Sequence, residues 1–281
     1  MECRLAGICK HYEPGCNPAQ KGVFDAQAIL AELLLSKEAS GRRPIYTKSL
    51  KHYLTRYIKS QPDIRQTRAK DIEAFISQFH GNTRATWLSR INTLFSFAVR
   101  REYITKNPCA VIERAKIDRS PPAILTPQQA AKVIALAPTQ CRPCVVLCLY
   151  AGIRPEECHH LDWSDINLET KTVQVSHTKT RVPRIVPLEQ IAVKLLSEHP
   201  VKKGKLSPSM STIRRFKRRV RGAIGFWKSD LLRHTAASYL MALHKDAGKV
   251  STMFGNSSSV MLKHYHTPVS DADSAVFWAV G

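Results

Sequence analysis

Three side chains near the end of the chain have types and spacing that suit chemistry on a phosphate. Arg233 lies three residues after Asp230, Asn256 follows Gly255, and Tyr265 lies nine residues beyond Asn256. Asp230 is a suitable N-cap for an apolar helical pattern, so Arg233 is predicted in the first turn, where backbone N–H groups favour anions. A tyrosine beside fixed cationic donors can attack phosphorus with its phenolate and form a covalent phosphodiester. For a lone tyrosine, the alternative is a half-buried helical side chain.

Short helices must position these groups. Apolar residues at helical spacing predict a helix over 231–243, a second is predicted over 247–254, and serines at 257–259 can cap a third that presents Tyr265. An arginine, an asparagine and a tyrosine are thus expected close together through local structure.

Two further cationic side chains precede this region. Arg154 is predicted to begin a helix directly after a helix-ending glycine, with Glu157 one turn further on. Lys179 is predicted at the tip of a hairpin between strands 171–176 and 184–188, because both segments alternate and a turn sequence separates them.

Positive charge dominates the composition. The 281 residues carry 43 Lys plus Arg against 22 Asp plus Glu, a formal net charge of +21. This balance indicates a polyanionic partner, with nucleic acid first and a membrane surface second. Neither a membrane-span run nor a signal-peptide core is apparent, so we expect a cytoplasmic, nucleoid-associated protein without a membrane partner. The alternative from another class is a general basic protein that binds RNA or membranes.

The eight cysteines are predicted to be free thiols, because disulfides are rare in cytosolic chains of this size. Three of them, at 141, 144 and 148, fall in a run that is typical of a buried helix. No second CxxC pair completes a zinc site with them. Metal-ligand side chains also lie close together near the N-terminus, at Cys3, Cys9, His11 and Cys16. Their spacing fits no common zinc pattern, so no metal site is predicted.

The pattern divides the chain into an arm and two domains. Residues 1–21 are predicted to be a flexible arm, 22–112 a four-helix domain, 113–122 a linker and 123–281 a second domain with a C-terminal tail. The predicted fold class is mainly α: a helical N-terminal domain followed by an α+β domain with a small antiparallel β-sheet.

Basic side chains cluster on one predicted helix of each domain. A solvated charged face is the alternative, but in a chain of this net charge contact with the DNA backbone is favoured. The predicted DNA-binding residues are Arg84, Arg90, Arg100 and Arg101 in the first domain, and Arg214, Arg215, Lys217 and Arg218 in the second.

Four motifs occur in an order that resembles the tyrosine site-specific recombinases, the phage integrase family. They are AGIRPEECHHLDWSDIN (151–167), TKTRVPRIVPL (178–188), LLRHTAASYL (231–240) and GNSSSVMLKHY (255–265). Each motif alone is weak, but four in order with this spacing are specific. The helices of the first domain resemble the family's core-binding domain, so the resemblance covers about residues 24–281.

The resemblance implies a site-specific recombinase that cuts and rejoins duplex DNA through a 3′-phosphotyrosyl intermediate. Tyr265 would attack the scissile phosphate, Arg154 and Arg233 would hold its non-bridging oxygens, and Lys179 would protonate the departing 5′ oxygen. Glu157 would orient Arg154. No cofactor is expected, because the covalent link conserves the energy of the phosphodiester.

Two positions depart from the family pattern. Asp230 stands where the family usually has histidine or lysine, and Asn256 stands where it usually has histidine or tryptophan. An ionised Asp230 repels a phosphate, whereas Asn256 still donates a hydrogen bond. His234 can supply part of the missing proton chemistry. The alternative function is therefore a catalytically weakened or inactive family member that binds DNA.

The end of the chain is apolar, with Val276, Phe277, Trp278 and Val280 close together. In the family such tails dock on a neighbouring protomer, which implies a homotetramer on DNA. Packing of the tail on its own domain is the alternative.

Overall fold

The structure is a computed structural model that describes residues 25–114, 121–176, 182–264 and 267–279. The chain forms two compact units, Met1–Arg119 and Ser120–Gly281, and each is described by itself. The division falls inside the segment 113–122 that the sequence predicts as a linker. The predicted arm lies outside the described residues.

The first unit is helical, as its apolar spacing predicts. Its helices are α1 (Ala26–Ala39), α2 (Pro44–Ser60), α3 (Ala69–Ser77) and α4 (Gly81–Arg100), and a 3-10 turn follows at Pro108–Val111. The side chain of Asp25 caps α1 by accepting a hydrogen bond from the backbone of Gln27 at 2.8 Å. The helical N-terminal domain of the predicted fold class is confirmed.

An aromatic cluster lies in the core of this unit. The Trp87 ring on α4 lies 4.6 Å from the Tyr53 ring on α2, 5.1 Å from the Phe75 ring and 5.0 Å from the Phe79 ring, on which it stacks. Such rings bury large apolar areas and prefer the edge-to-face and stacked geometries seen here. The cluster joins α2, α3 and α4 around one core.

The second unit contains helices around a small sheet. Its helices are α5 (Pro127–Leu136), α6 (Arg142–Tyr150), α7 (Pro155–Cys158), α8 (Gln190–Ser197), α9 (Met210–Ile224), α10 (Leu231–His244), α11 (Ala247–Phe254), α12 (Ser258–His264) and α13 (Asp271–Ala279). Short 3-10 turns lie at Thr139–Cys141 and Trp163–Asp165, and the strands are β1 (Ile166–Asn167), β2 (Thr172–Val175) and β3 (Arg184–Pro187).

Helix α6 lies at the centre of the second unit because it is apolar on nearly all sides. Its residues from Val145 to Tyr150 are buried, and it packs against α10 and α8. Cys141 and Cys148 are buried, Cys144 is half-buried, and the cysteines of the described residues are free thiols. The sequence therefore places this helix correctly.

The strands form an antiparallel sheet in the order β1-β2-β3. Val173 pairs with Val186 and Val175 pairs with Arg184, so the predicted antiparallel pairing of these two strands is confirmed. The segment between them, with Lys179 predicted at its tip, lies outside the described residues. Strand β1 was not predicted, because a strand of two residues is too short to show an alternating pattern.

The tail helix α13 packs on its own unit. Phe277 is fully buried and stacks on the Tyr239 ring of α10 at 3.8 Å, and Trp278 lies 6.0 Å from the Tyr150 ring. This is the packing on its own domain that the sequence left as an alternative.

Over the described ranges, no single helix has both the length and the apolar character of a membrane span. The pair Pro127–Leu136 and Thr139–Tyr150 reaches that length and composition only together, and it is bent by 119°.

Candidate active site

Arg154 is positioned by the turn between α6 and α7. Helix α6 ends at Tyr150, and Gly152 takes the left-handed conformation, with φ of +64°, that turns the chain. A Cβ at Gly152 would overlap the Phe254 ring, so only glycine fits there. Pro155 then begins α7 with Arg154 directly before it.

Glu157 is the centre of the hydrogen-bond network around Arg154. Its carboxylate is only 3% exposed, and Oε1 accepts from Arg154 Nη1 at 3.0 Å. Oε2 accepts from the backbone N–H of Arg154 at 3.1 Å. Helix α7 therefore fixes both the side chain and the backbone of Arg154 through one carboxylate.

Arg184 is a site residue that the sequence analysis missed. Its Nη1 and Nη2 donate to the two oxygens of Glu157 at 3.0 and 2.7 Å, and its Nε donates to the carbonyl of Met253 at 2.9 Å. The sequence did contain a signal for it. Arg184 is two residues before the apolar Val186, so the alternation of β3 places its cation on the core side of the sheet. A cation there requires a buried acceptor such as Glu157.

Asn256 reaches Arg154 from the turn between α11 and α12. Gly255 ends α11 with φ of +61°, and Asn256 Oδ1 accepts from Arg154 Nη2 at 2.7 Å. That contact identifies the oxygen of the amide, because an arginine only donates. The Nδ2 atom is buried and has no hydrogen-bond partner among the described residues.

Arg233 lies in the first turn of α10, where the sequence predicts it, but its guanidinium points into the unit. The side chain is 1% exposed and lies 4.4 Å above the Phe254 ring. Its Nη1 donates to the carbonyl of Gly152 and its Nη2 to the carbonyl of Phe254 at 2.8 Å. Arg233 therefore connects the turn before Arg154 with the turn before Asn256.

The capping interaction expected of Asp230 is absent. Asp230 occupies the N-cap position of α10, but it has φ of +54° and its side chain makes no capping hydrogen bond. The left-handed backbone, which aspartate tolerates, turns the carboxylate away from the helix N–H groups. Asp230 is exposed and lines, with Arg154, a cavity of about 410 Å³. The expectation of a side-chain cap was therefore wrong.

Burial and the charges of the site together shift two pKa values. Burial, the largest effect on Glu157, raises its pKa, but hydrogen bonds and charge from Arg184 and then Arg154 outweigh burial and hold the pKa below its usual value. Burial lowers the pKa of His234, and the charge of Arg233 also lowers it, against an opposing effect of Asp230. Glu157 is thus ionised and His234 neutral at pH 7.

The predicted DNA-binding residues fall into two groups. Arg214, Arg215, Lys217 and Arg218 are exposed on α9, whose buried face is formed by Phe216 and Val220. On α4, Arg84 and Arg90 are half-buried, and only Arg100 at its end and Arg101 directly after it are exposed. Arg90 lies 4.9 Å above the Tyr46 ring, and Arg101 pairs with Glu32 at 3.0 Å.

A second basic surface of the first unit was missed. Helix α2 carries exposed Lys48, Lys51, His52 and Lys59, which share one face at helical spacing. Three lysines interleaved with apolar positions were the signal in the sequence.

The remaining predicted groups lie outside the described residues. They are Lys179, Tyr265 and the set Cys3, Cys9, His11 and Cys16. Within the described ranges, no group of three or more His, Cys, Asp or Glu side chains could hold a metal ion.

The arrangement suits the binding of an oxyanion. The guanidinium groups of Arg154 and Arg184 share the single carboxylate of Glu157, and that of Arg233 binds two backbone carbonyls, so positive charge remains for a ligand. Within the described part of the chain, Arg154 uses two of its five side-chain N–H groups, on Glu157 and Asn256, which leaves three. Its side chain is 15% exposed, so a phosphate can reach these donors.

The model of the phage integrase family matches residues 124–270, just over half of the chain. The tyrosine recombinase XerD of Shewanella oneidensis is 28% identical over 179 residues, which cover 59% of this chain and 59% of XerD. The chain thus spans about three fifths of the length of the first relatives that it matches.

Two solved structures share the fold. Lambda integrase (residues 75–356) bound to DNA has a TM-score of 0.71 at 20% identity, with 86% of this chain and 95% of that chain covered. A lambda integrase tetramer bound to a Holliday junction has a TM-score of 0.69 at 17% identity, with 90% and 84% covered. At these identities the likeness shows the fold alone. The match of the family model over residues 124–270 shows the family itself: this chain belongs to the phage integrase family.

Proposed function

We propose that this chain is a site-specific DNA recombinase that cuts and rejoins duplex DNA through a 3′-phosphotyrosyl link at Tyr265. The observation that carries the proposal is the fixed guanidinium of Arg154, which Glu157 and Asn256 hold while three of its N–H groups are left for a phosphate. Membership in the phage integrase family supports the same chemistry.

The reaction assigns one role to each side chain. The hydroxyl of Tyr265 loses its proton to solvent, and the phenolate oxygen forms a bond to phosphorus. The bond from phosphorus to the 5′ oxygen breaks, and Lys179 gives that oxygen a proton. Arg154 stabilises the charge on the non-bridging oxygens, and loss of one such donor costs about 3 kcal/mol of transition-state stabilisation.

Arg233 and Asn256 complete the site. Arg233, the second predicted phosphate ligand, contributes a positive charge held between the turns that lead to Arg154 and Asn256. The Nδ2 group of Asn256 offers a further donor to the phosphate. Attack of a 5′ hydroxyl on the phosphotyrosine would reverse the first step and rejoin the strand.

Duplex DNA is the proposed partner. The exposed basic residues of α9 and the exposed lysines of α2 and arginines of α4 offer contacts to phosphates in both units. We propose a homotetramer on DNA in which α13 docks on a neighbouring protomer. The apolar side of α13 supports this assembly. Phe277 and Trp278 pack on Tyr239 and Tyr150, and every other copy of the chain offers the same surface.

A second candidate function is a family member that binds DNA with weak or no cleavage. The observation that favours it is the exposed Asp230, which shares a cavity with Arg154 and makes no capping hydrogen bond. An ionised carboxylate at that place opposes the approach of a phosphate.

A covalent-trap assay tests the proposal. Nicked duplex fragments from the flanks of the protein's own gene are incubated with the protein, and adducts are separated on a denaturing gel. We expect an adduct with the wild-type protein and with Tyr46→Phe, a matched control in the first unit, and none with Tyr265→Phe.

The other outcomes separate the alternatives. No adduct, with duplex binding intact and cleavage restored by Asp230→His, would favour the weakened family member. Equal binding of duplex DNA, RNA and anionic vesicles at matched salt would favour the general basic protein.

A further inference from the structure

Arg184 occupies an unusual place for a cation. It is the first residue of β3 and pairs with Val175 at the end of the hairpin, on the face of the strand that also carries the buried Val186. Only 9% of its side chain is exposed. A charge on the core side of a strand is costly unless acceptors surround it, so its partners define its role.

Those partners belong to two other segments of the second unit. The two Nη groups span the carboxylate of Glu157 on α7 at 3.0 and 2.7 Å, which is the bidentate geometry favoured by arginine. Its Nε donates to the carbonyl of Met253 in the last turn of α11 at 2.9 Å. One planar group therefore connects β3, α7 and α11.

These contacts close a ring that includes Arg154. Glu157 accepts from Arg154, Arg154 donates to Asn256, and Asn256 follows α11 by two residues, where Met253 accepts from Arg184. Every link except the backbone between Met253 and Asn256 is a charge-assisted hydrogen bond. Without Arg184, Glu157 loses two donors, and the Met253 carbonyl of α11 loses its hydrogen bond from β3.

We infer that Arg184 is a positioning residue for strand cleavage, which holds the Glu157 carboxylate and the end of α11 so that Arg154 and Asn256 face the phosphate together. The inference rests on the proposed function. Arg184 does not touch the phosphate in this role, since three of its donors are used within the unit.

Two substitutions separate geometry from charge. Arg184→Lys keeps the positive charge but cannot span both oxygens of Glu157 and reach Met253. Arg184→Gln also removes the charge, so the pKa of the buried Glu157 rises, with Arg154 as its remaining cationic partner. Ile185→Thr, at the exposed neighbouring position of β3, is the control for damage to the hairpin.

Single-turnover cleavage and duplex affinity are measured between pH 5 and pH 9. We expect about 10-fold slower cleavage for Arg184→Lys and about 100-fold for Arg184→Gln, with the dissociation constant for duplex DNA changed less than about threefold. The acid limb of the rate profile moves to higher pH only in Arg184→Gln. Ile185→Thr behaves as the wild-type protein.

A second measurement does not depend on DNA cleavage: NMR detects the guanidinium protons of Arg154 when they exchange slowly with water. Slow exchange indicates that fixed acceptors hold the side chain. We expect these signals in the wild-type protein and in Ile185→Thr, and their loss in both Arg184 variants. Persistent Arg154 signals, or a wild-type cleavage rate and pH profile in Arg184→Gln, would overturn the inference. If the wild-type protein forms no tyrosine adduct, the proposed function fails, and the NMR result alone decides the role of Arg184.

Discussion

At the scale of the residue, Glu157 determines whether the guanidinium groups of the site remain in place. It is the only carboxylate among the described residues that accepts from Arg154 and Arg184, and it does so while 3% exposed. Two cations that share one buried anion depend on its ionisation. The stability of the second unit should therefore follow the charge of this group.

Replacement of Glu157 by glutamine should lower the free energy of unfolding by about 3–5 kcal/mol at pH 7, because it leaves two arginines that are only 15% and 9% exposed without their anion. The pKa of Glu157 is lowered in the folded protein from an ordinary value of 4.5. Its contribution is therefore complete above pH 4.5 and is lost as the pH falls through the lower folded value. Urea unfolding at several pH values measures the difference between the two proteins.

The control is Glu156→Gln, because Glu156 is exposed beside Glu157 and its loss should change stability by less than about 0.5 kcal/mol. A difference between wild-type protein and Glu157→Gln that stays constant down to pH 3 would contradict the assignment of the effect to this carboxylate.

At the scale of the element, the sequence predicts what depends on near neighbours. The helices and the hairpin strands follow from local spacing. The capping box of α5 is equally local, and its Thr126 and Gln129 make their two reciprocal hydrogen bonds at 3.2 and 3.0 Å. The position of Arg233 in the first turn of α10 has the same local origin.

What the sequence could not predict depends on contacts between distant segments. Arg184 is 27 residues from Glu157, and no pattern within β3 identifies its partner. The inward direction of Arg233 depends on two carbonyls at Gly152 and Phe254, which are 81 and 21 residues away. The backbone of Asp230 is left-handed instead of extended as in an ordinary N-cap. The residue type alone does not determine that conformation, so the sequence could not predict it.

The turn at Gly152 provides a test at this scale. Gly152→Ala requires a left-handed alanine, at roughly 1–2 kcal/mol, and forces its methyl group against Phe254, at roughly 1–3 kcal/mol more. We expect the sum as lost stability of the second unit, measured by tryptophan fluorescence during urea unfolding. Three of the four tryptophans, at 163, 227 and 278, lie in this unit.

Gly225→Ala is the matched control, because Gly225 has φ of +86° and no atom within 4 Å of an added Cβ. It should show the cost of the backbone conformation alone. Equal stabilities of the two variants would mean that the Phe254 ring moves aside without cost.

At the scale of the whole molecule, the excess of positive charge is distributed over both units. The exposed face of α9 carries it in the second unit, and the outer face of α2 carries it in the first. Each unit has a core of its own, so the basic surfaces do not contribute to the burial that stabilises either one. They are available for phosphates along a duplex.

The packing of the tail helix α13 determines whether the protein without DNA is stable as a monomer. Phe277 is buried against Tyr239 of the same chain, so Phe277→Ala should lower the free energy of unfolding of the second unit by about 3–5 kcal/mol. Because the contact lies within one chain, the melting temperature of DNA-free protein should not change with protein concentration. Thermal unfolding over a 100-fold range of concentration measures both effects.

Val276→Ala is the control, since Val276 is exposed on the same helix and its loss should change stability little. A melting temperature that rises with concentration would mean that the tail is already exchanged in the free protein.

Exchange on DNA is tested with Trp278→Ala, whose side chain is only half-buried. If the tail docks in trans, this variant binds duplex DNA as a monomer where the wild-type protein forms a tetramer; an unchanged tetramer would exclude the tail as the connecting element.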